Sequence, residues 1–208
     1  MEELKTGTTT IGIKYDGGVI LAADRRATAG HMIVDKRVKK AIVINDRMAL
    51  TTAGSVSELQ FLMKLFRAEV RLKEVHTGRT MLIKEASNLL AQLVYHSIRK
   101  PSMLPSVVHF LFSGKDAKGF SLYDVYPDGS LTQVDSFVAS GSGSVFALGT
   151  LETLWKENMS EDEAKQLAVK ALNAALQRDS ASGNGLVLVR INKDGAQEIE
   201  DRLIDARL

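Results

Sequence analysis

The sequence predicts an α+β protein in which two antiparallel sheets are covered by helices. Three observations carry this. Strand-like and helix-like runs come in blocks: strands, two helices, strands, two helices, strand. Tight turns at Asp16-Gly17-Gly18, Asn45-Asp46-Arg47 and Asp128-Gly129 join neighbouring strand-like runs, and glycine in such turns accepts positive φ at little cost. Strict alternation of strand and helix is absent, which argues against a parallel, doubly wound sheet.

The elements follow in order. Residues 9–15 are rich in β-formers, and the apolar run 19–23 returns as the second arm of a hairpin. Residues 41–44 and 48–52 repeat that design. Ser55 and Glu58 have the spacing of a capping box. Leu59, Leu62, Met63, Phe66 and Val70 then recur at helical intervals as far as Thr77-Gly78. A second helix is expected over about 81–99, stopped by Lys100-Pro101. Strands return at 107–112, 120–126 and 131–134. A third helix is expected at 145–157, and a fourth begins at the Ser160/Glu163 capping box and runs to about 177. A last strand, 186–191, precedes the Asp194-Gly195 turn and a short tail.

The chain has 208 residues, 45% hydrophobic and 25% charged, enough for one sizeable domain. Its three prolines mark no linker, and no internal repeat is visible. Net charge is +2 with both signs interspersed, so no clustered basic face points to nucleic acid. No apolar run approaches the length of a membrane span. Residues 1–7 lack the basic start and apolar core of a secretory signal, so a cytoplasmic protein is expected. The absence of cysteine removes disulfides, thiolate metal sites and cysteine nucleophiles. His31, His76, His96 and His109 are scattered without metal-ligand spacing, and His109 reads as a satisfied core residue.

Chemistry is suggested at Gly7-Thr8-Thr9-Thr10. Cutting the bond before a threonine frees an α-amine beside its hydroxyl, which supplies a built-in base. Asp24, in Asp24-Arg25-Arg26, and Lys40, in Lys39-Lys40, are the charges such a centre needs. Each is unremarkable alone: a strand-edge threonine, a turn aspartate, a strand-end lysine. Ser140-Gly141-Ser142-Gly143-Ser144 reads alone as a tight strand-to-helix turn; 177–183 alone is undecided between a solvated helix-end loop and a turn whose Asp and Ser orient a neighbouring amine by hydrogen bonds.

Taken together, Gly7-Thr8-Thr9-Thr10, Asp24-Arg25-Arg26-Ala27-Thr28, Lys39-Lys40, Ala53-Gly54-Ser55, Gly141-Ser142-Gly143-Ser144 and Gln177-Arg178-Asp179-Ser180-Ala181-Ser182-Gly183 resemble the archaeal proteasome β-type subunits, which are N-terminal-nucleophile hydrolases. The resemblance runs from Gly7 to the last strand. It implies a four-layer αββα sandwich, a propeptide at 1–7 and a single catalytic domain at 8–208. It implies a threonine endopeptidase that matures by cutting its own Gly7–Thr8 bond and needs no cofactor or metal. Thr8 matches the nucleophile and Asp24 the carboxylate that holds Lys40. Ser142, Asp179 and Ser182 match residues that orient the threonine amine. Gly54 matches the oxyanion donor, and Thr28 a residue that pairs with substrate backbone. Ala27, Val38, Ile42, Thr52 and Val56 match the first specificity pocket; none is charged, so cleavage after uncharged, mainly hydrophobic residues is expected. The implied partners are homologous β subunits in a seven-membered ring, α-subunit rings, an ATP-dependent unfoldase acting through them, and unfolded protein substrates. Two alternatives stay open: an HslV-like peptidase, and a scaffold β subunit active only in a complete mixed complex.

Overall fold

The computed structural model describes residues 7–102 and 106–204. The expected propeptide therefore lies, apart from Gly7, outside the described residues.

The first sheet holds β1 (Thr10–Tyr15), β2 (Gly18–Asp24), β10 (Phe137–Ser140), β11 (Gly185–Asn192) and β12 (Gly195–Leu203), in the order β10-β1-β2-β11-β12. The second holds β5 (Ala41–Asn45), β6 (Met48–Gly54), β7 (Val108–Asp116), β8 (Gly119–Val125) and β9 (Leu131–Val134), in chain order. Every strand pairing among the described residues is antiparallel. A small hairpin, β3 (Ala27–Ala29) and β4 (Met32–Asp35), stands apart from both sheets.

Helices α1 (Val56–Thr77) and α2 (Ile83–Ile98) cover the second sheet; α3 (Ser144–Leu154) and α4 (Glu161–Leu176) cover the first. Alternation along the strands explains the layers, because successive side chains point to opposite faces. On β2, Ile20 and Ala22 pack towards α3 and α4, whereas Val19, Leu21 and Ala23 pack towards the second sheet. Leu111 and Leu122 meet them from the opposite sheet, while Phe110, Phe112 and Tyr123 turn to α1 and α2. Phe66 of α1 meets Phe112 edge-on at 5.7 Å, a pairing that adds about 0.5–1.5 kcal/mol to simple burial. The result is the expected helix–sheet–sheet–helix sandwich.

Four strands were not expected: β3, β4, β10 and β12. The predicted tail is a nine-residue edge strand paired to β11 along its length. The third helix ends at Leu154, three residues before its expected end. The Ser160/Glu163 capping box forms. The Ser55/Glu58 box does not: Ser55 makes no side-chain cap bond, and Glu58 instead accepts from Ser97 and Ser106 at 3.0 and 3.1 Å. That arrangement satisfies two buried hydroxyls, and the Ser55 N–H that Glu58 would otherwise take already donates to the Val107 carbonyl at 3.0 Å. His109 is part-buried and satisfied, as expected, by Asp124 at 2.5 Å and by the Tyr126 ring. No described helix is long and apolar enough to cross a membrane.

Candidate active site

The antiparallel pairing of β1 and β2 puts the start of one beside the end of the other: Thr10 lies opposite Ala23. Thr8 and Thr9 therefore stand next to Asp24. The Asp24 carboxylate has no solvent exposure and collects four donors. Thr9 N and Lys40 Nζ donate to Oδ1 at 3.1 and 2.7 Å, and Arg26 N and Gly183 N donate to Oδ2, both at 3.0 Å. One side chain thus ties together the segments carrying Thr8, Lys40 and Ser182.

Lys40 is buried and precedes β5, with its carbonyl held by Thr52 N at 2.8 Å. Its ammonium donates a second bond to the Gly7 carbonyl at 3.1 Å. Burial pushes the Lys40 ammonium below the usual lysine value, and the Asp24 carboxylate opposes that shift.

Thr8 is 3% exposed. Its hydroxyl donates to the Gly7 carbonyl at 2.5 Å, so the Thr8 hydroxyl and the Lys40 ammonium converge on one peptide oxygen. Thr8 N donates to Ser142 Oγ at 3.2 Å. Gly143 caps α3 directly after Ser142, so the turn that reads as a strand-to-helix connection delivers a hydroxyl to residue 8. Ser142 in turn donates to Asp179 Oδ2 at 2.6 Å, as does Ser182. Because Ser182 spends its proton there, the 2.7 Å contact between Thr9 Oγ1 and Ser182 Oγ is donated by Thr9.

The six expected catalytic residues therefore form one connected network. Within the uncut chain, among the described residues, only Ser142 meets the Thr8 nitrogen directly; Asp179 reaches it through Ser142, and Ser182 bonds Thr9 instead. Two members escaped the sequence reading. Thr9 is one of them, although its place in the threonine run marked it. Arg26 is the other: its guanidinium donates to Asn184 Oδ1 at 2.8 Å and to the Ser180 carbonyl at 2.7 Å, bracing the turn that holds Asp179 and Ser182.

A cavity of about 510 Å³ opens beside Gly7 and Thr8. All seven expected substrate-side positions line it: Ala27, Thr28, Val38, Ile42, Thr52, Gly54 and Val56. Leu59 and Met63 extend its apolar wall, and the exposed Lys64 and Arg67 add positive charge. Gly54 has φ +119°, and a Cβ there would lie 2.2 Å from the Val107 carbonyl oxygen, so only glycine fits. Gly7 is confined as well: its N–H donates to Thr28 Oγ1 at 3.0 Å, and an added Cβ would lie 1.9 Å from that of Ala181.

Residues 4–191 match the family described as proteasome subunit. The chain belongs to the proteasome subunit family. Proteasome subunit beta of Methanoculleus marisnigri is 43% identical over 197 residues, covering 95% of this chain and 90% of the relative. That of Methanocorpusculum labreanum is 41% identical over 203 residues, with 97% and 94% covered. That of Methanopyrus kandleri is 38% identical over 209 residues, with 100% and 98% covered. The likeness identifies a proteasome β-type subunit of a peptidase family that assembles with other proteasome subunits, on the sandwich fold described above.

Proposed function

We propose that the chain is the catalytic β subunit of a proteasome core particle, a threonine endopeptidase that makes its own nucleophile by cutting the Gly7–Thr8 bond. The observation that carries this is the convergence of the Thr8 hydroxyl and the Lys40 ammonium on the Gly7 carbonyl.

In the uncut chain residue 8 has a peptide nitrogen, which cannot accept a proton. Thr8 Oγ adds to the Gly7 carbonyl carbon, and the Lys40 ammonium offsets the charge that grows on oxygen. The C–N bond then breaks: the acyl group stays on Oγ, and the nitrogen takes up the proton given up by Oγ and leaves as an amine. Water hydrolyses the ester and releases residues 1–7. The freed α-amine has a reference pKa of about 7.7–8.0, and the nearby Lys40 ammonium lowers it, so much of it is neutral near pH 7.

On a substrate, the amine takes the Thr8 hydroxyl proton while Oγ attacks the scissile carbonyl. The Gly54 N–H stabilises the tetrahedral oxyanion, a contribution worth about 3–4 kcal/mol. The leaving amine takes the proton, and water releases the acyl half. The substrate backbone lies along Thr28 as an added strand. Its side chain enters the cavity lined by Ala27, Val38, Ile42, Thr52 and Val56, which favours uncharged, mainly hydrophobic residues before the cut. Asp179, Ser182 and Ser142 hold the amine in place.

In this reading the single catalytic domain spans 8–208. The chain works in the cytoplasm, in seven-membered β rings between α rings, on unfolded polypeptides delivered by an ATP-dependent unfoldase. The names of the relatives support assembly as a proteasome β subunit in preference to an HslV-like peptidase. Treating the assembled particle with a peptide that carries an electrophilic C-terminus tests the assignment. Mass mapping is expected to place the adduct on Thr8; an adduct on another residue contradicts it.

A further inference from the structure

Asp24 and Lys40 are each followed or preceded by a cation with a different partner. Arg25 is almost fully buried, and its guanidinium pairs with Asp201 Oδ1. Lys39 donates to Asp201 Oδ2 at 3.1 Å. The two oxygens of one carboxylate thus hold the immediate neighbours of both Asp24 and Lys40. Asp201 belongs to the edge strand β12. It lies opposite Val187 of β11, which lies opposite Ala23 of β2, so the sheet register brings it to the end of β2.

The rest of the contact points the same way. Arg25 also donates to the Arg37 carbonyl at 2.8 Å, and its own carbonyl accepts from Val38 N at 3.1 Å. Residues 37–40 are therefore fastened to Arg25 at one end, to β12 through Lys39, and to β6 through the Lys40 carbonyl and Thr52 N. Lys39 has a second acceptor in Glu198, at 2.8 and 2.9 Å, but among the described residues Glu198 makes no bond to Arg25. Asp201 is thus the residue that bridges the two segments. Burial alone would raise its carboxyl, yet Arg25 and Lys39 hold it below the usual aspartate value.

We propose that Asp201 is a positioning residue, whose bridge between Arg25 and Lys39 fixes the spacing of the Asp24–Lys40 pair. The proposal rests on the reading of Thr8, Asp24 and Lys40 as the reacting centre. Lysine has a long, rotatable stem, so its ammonium is placed only as well as its backbone is. A misplacement near 1 Å costs on the order of 100-fold in rate.

The test uses the full chain in its assembled particle, with peptide hydrolysis followed from pH 5 to 10 (an assay range of about five units around the reference amine pKa). Asp201→Asn is expected to lower kcat by about tenfold with little change in KM. It is also expected to move the alkaline limb down by about half a pH unit, because a looser Asp24 contact leaves burial of Lys40 less opposed. Asp201→Glu, which keeps the charge, recovers most of kcat. Glu198→Gln stays within about twofold of wild type, as an exposed pair should. Unchanged kcat and pH profile in Asp201→Asn overturns the proposal. So does an equal loss in Glu198→Gln, or a loss with an unmoved alkaline limb. Should Asp201→Asn fail to assemble, Lys39→Met cuts one arm at a half-exposed side chain. It is expected to lose about threefold with the same shift of the limb, and wild-type behaviour overturns the idea. Thr8→Ala in parallel separates the two claims: an active Thr8→Ala particle sinks the reading of the centre, whereas an inactive one beside a normal Asp201→Asn sinks only the role of Asp201.

Discussion

The Lys40 ammonium donates to the Asp24 carboxylate over 2.7 Å, with both side chains almost wholly removed from water. The pair is unequal. Asp24 accepts three backbone N–H bonds besides, whereas among the described residues Lys40 adds only the Gly7 carbonyl. Removing Asp24 leaves four donors without their acceptor; removing Lys40 leaves a carboxylate that still has three. Asp24→Ala is expected to lose at least about 2 kcal/mol more stability than Lys40→Met, at about 1–3 kcal/mol per abandoned buried group. Urea unfolding of the uncut chains measures the difference. Equal losses would mean that Asp24 serves Lys40 alone.

Gly7 sits where a methyl group has no room. An added Cβ meets Ala181 at its Cβ and also at its backbone oxygen, 2.5 Å away. Gly7→Ala is expected to slow the loss of residues 1–7 by at least about tenfold, the equivalent of 1.4 kcal/mol of misplacement. Adding Ala181→Gly should not restore the rate, because the backbone oxygen stays in the way. Intact mass against time reads the result.

Gly54 closes the cavity at the end of β6 with a positive φ. Any side chain there strains the backbone and collides with the Val107 carbonyl. Gly54→Ala is expected to reduce peptide hydrolysis by about 100-fold or more, the loss that follows when one oxyanion donor is misplaced. A variant that turns over peptide at the normal rate would remove Gly54 from the site.

Much of this was legible in the sequence, and the exceptions have physical causes. The hairpins around Gly17 and Asp46 and the four helices stand out because one face is buried, so the apolar period is plain. Strand β12 is not plain. Its residues Gln197, Glu198 and Arg202 face solvent at a sheet edge, and Ala196 is its one buried side chain. Strand β4 is exposed throughout, which removes the alternation altogether. In the site, Thr8, Asp24 and Lys40 were readable as a set because they lie close in sequence. The 177–183 turn offered Asp179 and Ser182 as orienting groups without deciding for them; their roles, and that of Ser142, were assigned through the resemblance. Besides its neighbour Asp179, Ser182 bonds Thr9, and Arg25 and Arg26 reach Asp201 and Asn184. No local pattern reports contacts made across the whole chain.

Glu161 opens α4 and fastens it to the first sheet through Tyr15, Arg190 and Asn192. Burial alone would raise its carboxyl, but bonds from Lys165, Arg190 and Tyr15 bring it down from 4.5 to about 2. A depressed folded value stabilises above the unfolded one. That contribution is complete above about pH 4.5 and disappears as pH falls towards 2. Glu161→Gln should therefore melt about 2–4 °C lower than wild type at pH 7, and the gap should close near pH 2. A gap that stays constant with pH would show that charge plays no part.

The central claim is that Thr8 makes its own amine. Intact mass of the full chain, alone and after mixing with its α partner, tests it most directly when Thr8→Ala is carried through the same steps. The account predicts that the wild-type chain loses residues 1–7 on assembly and then cleaves peptides, while Thr8→Ala keeps them and cleaves nothing. A Thr8→Ala chain that still sheds residues 1–7 and still cleaves peptides would contradict it.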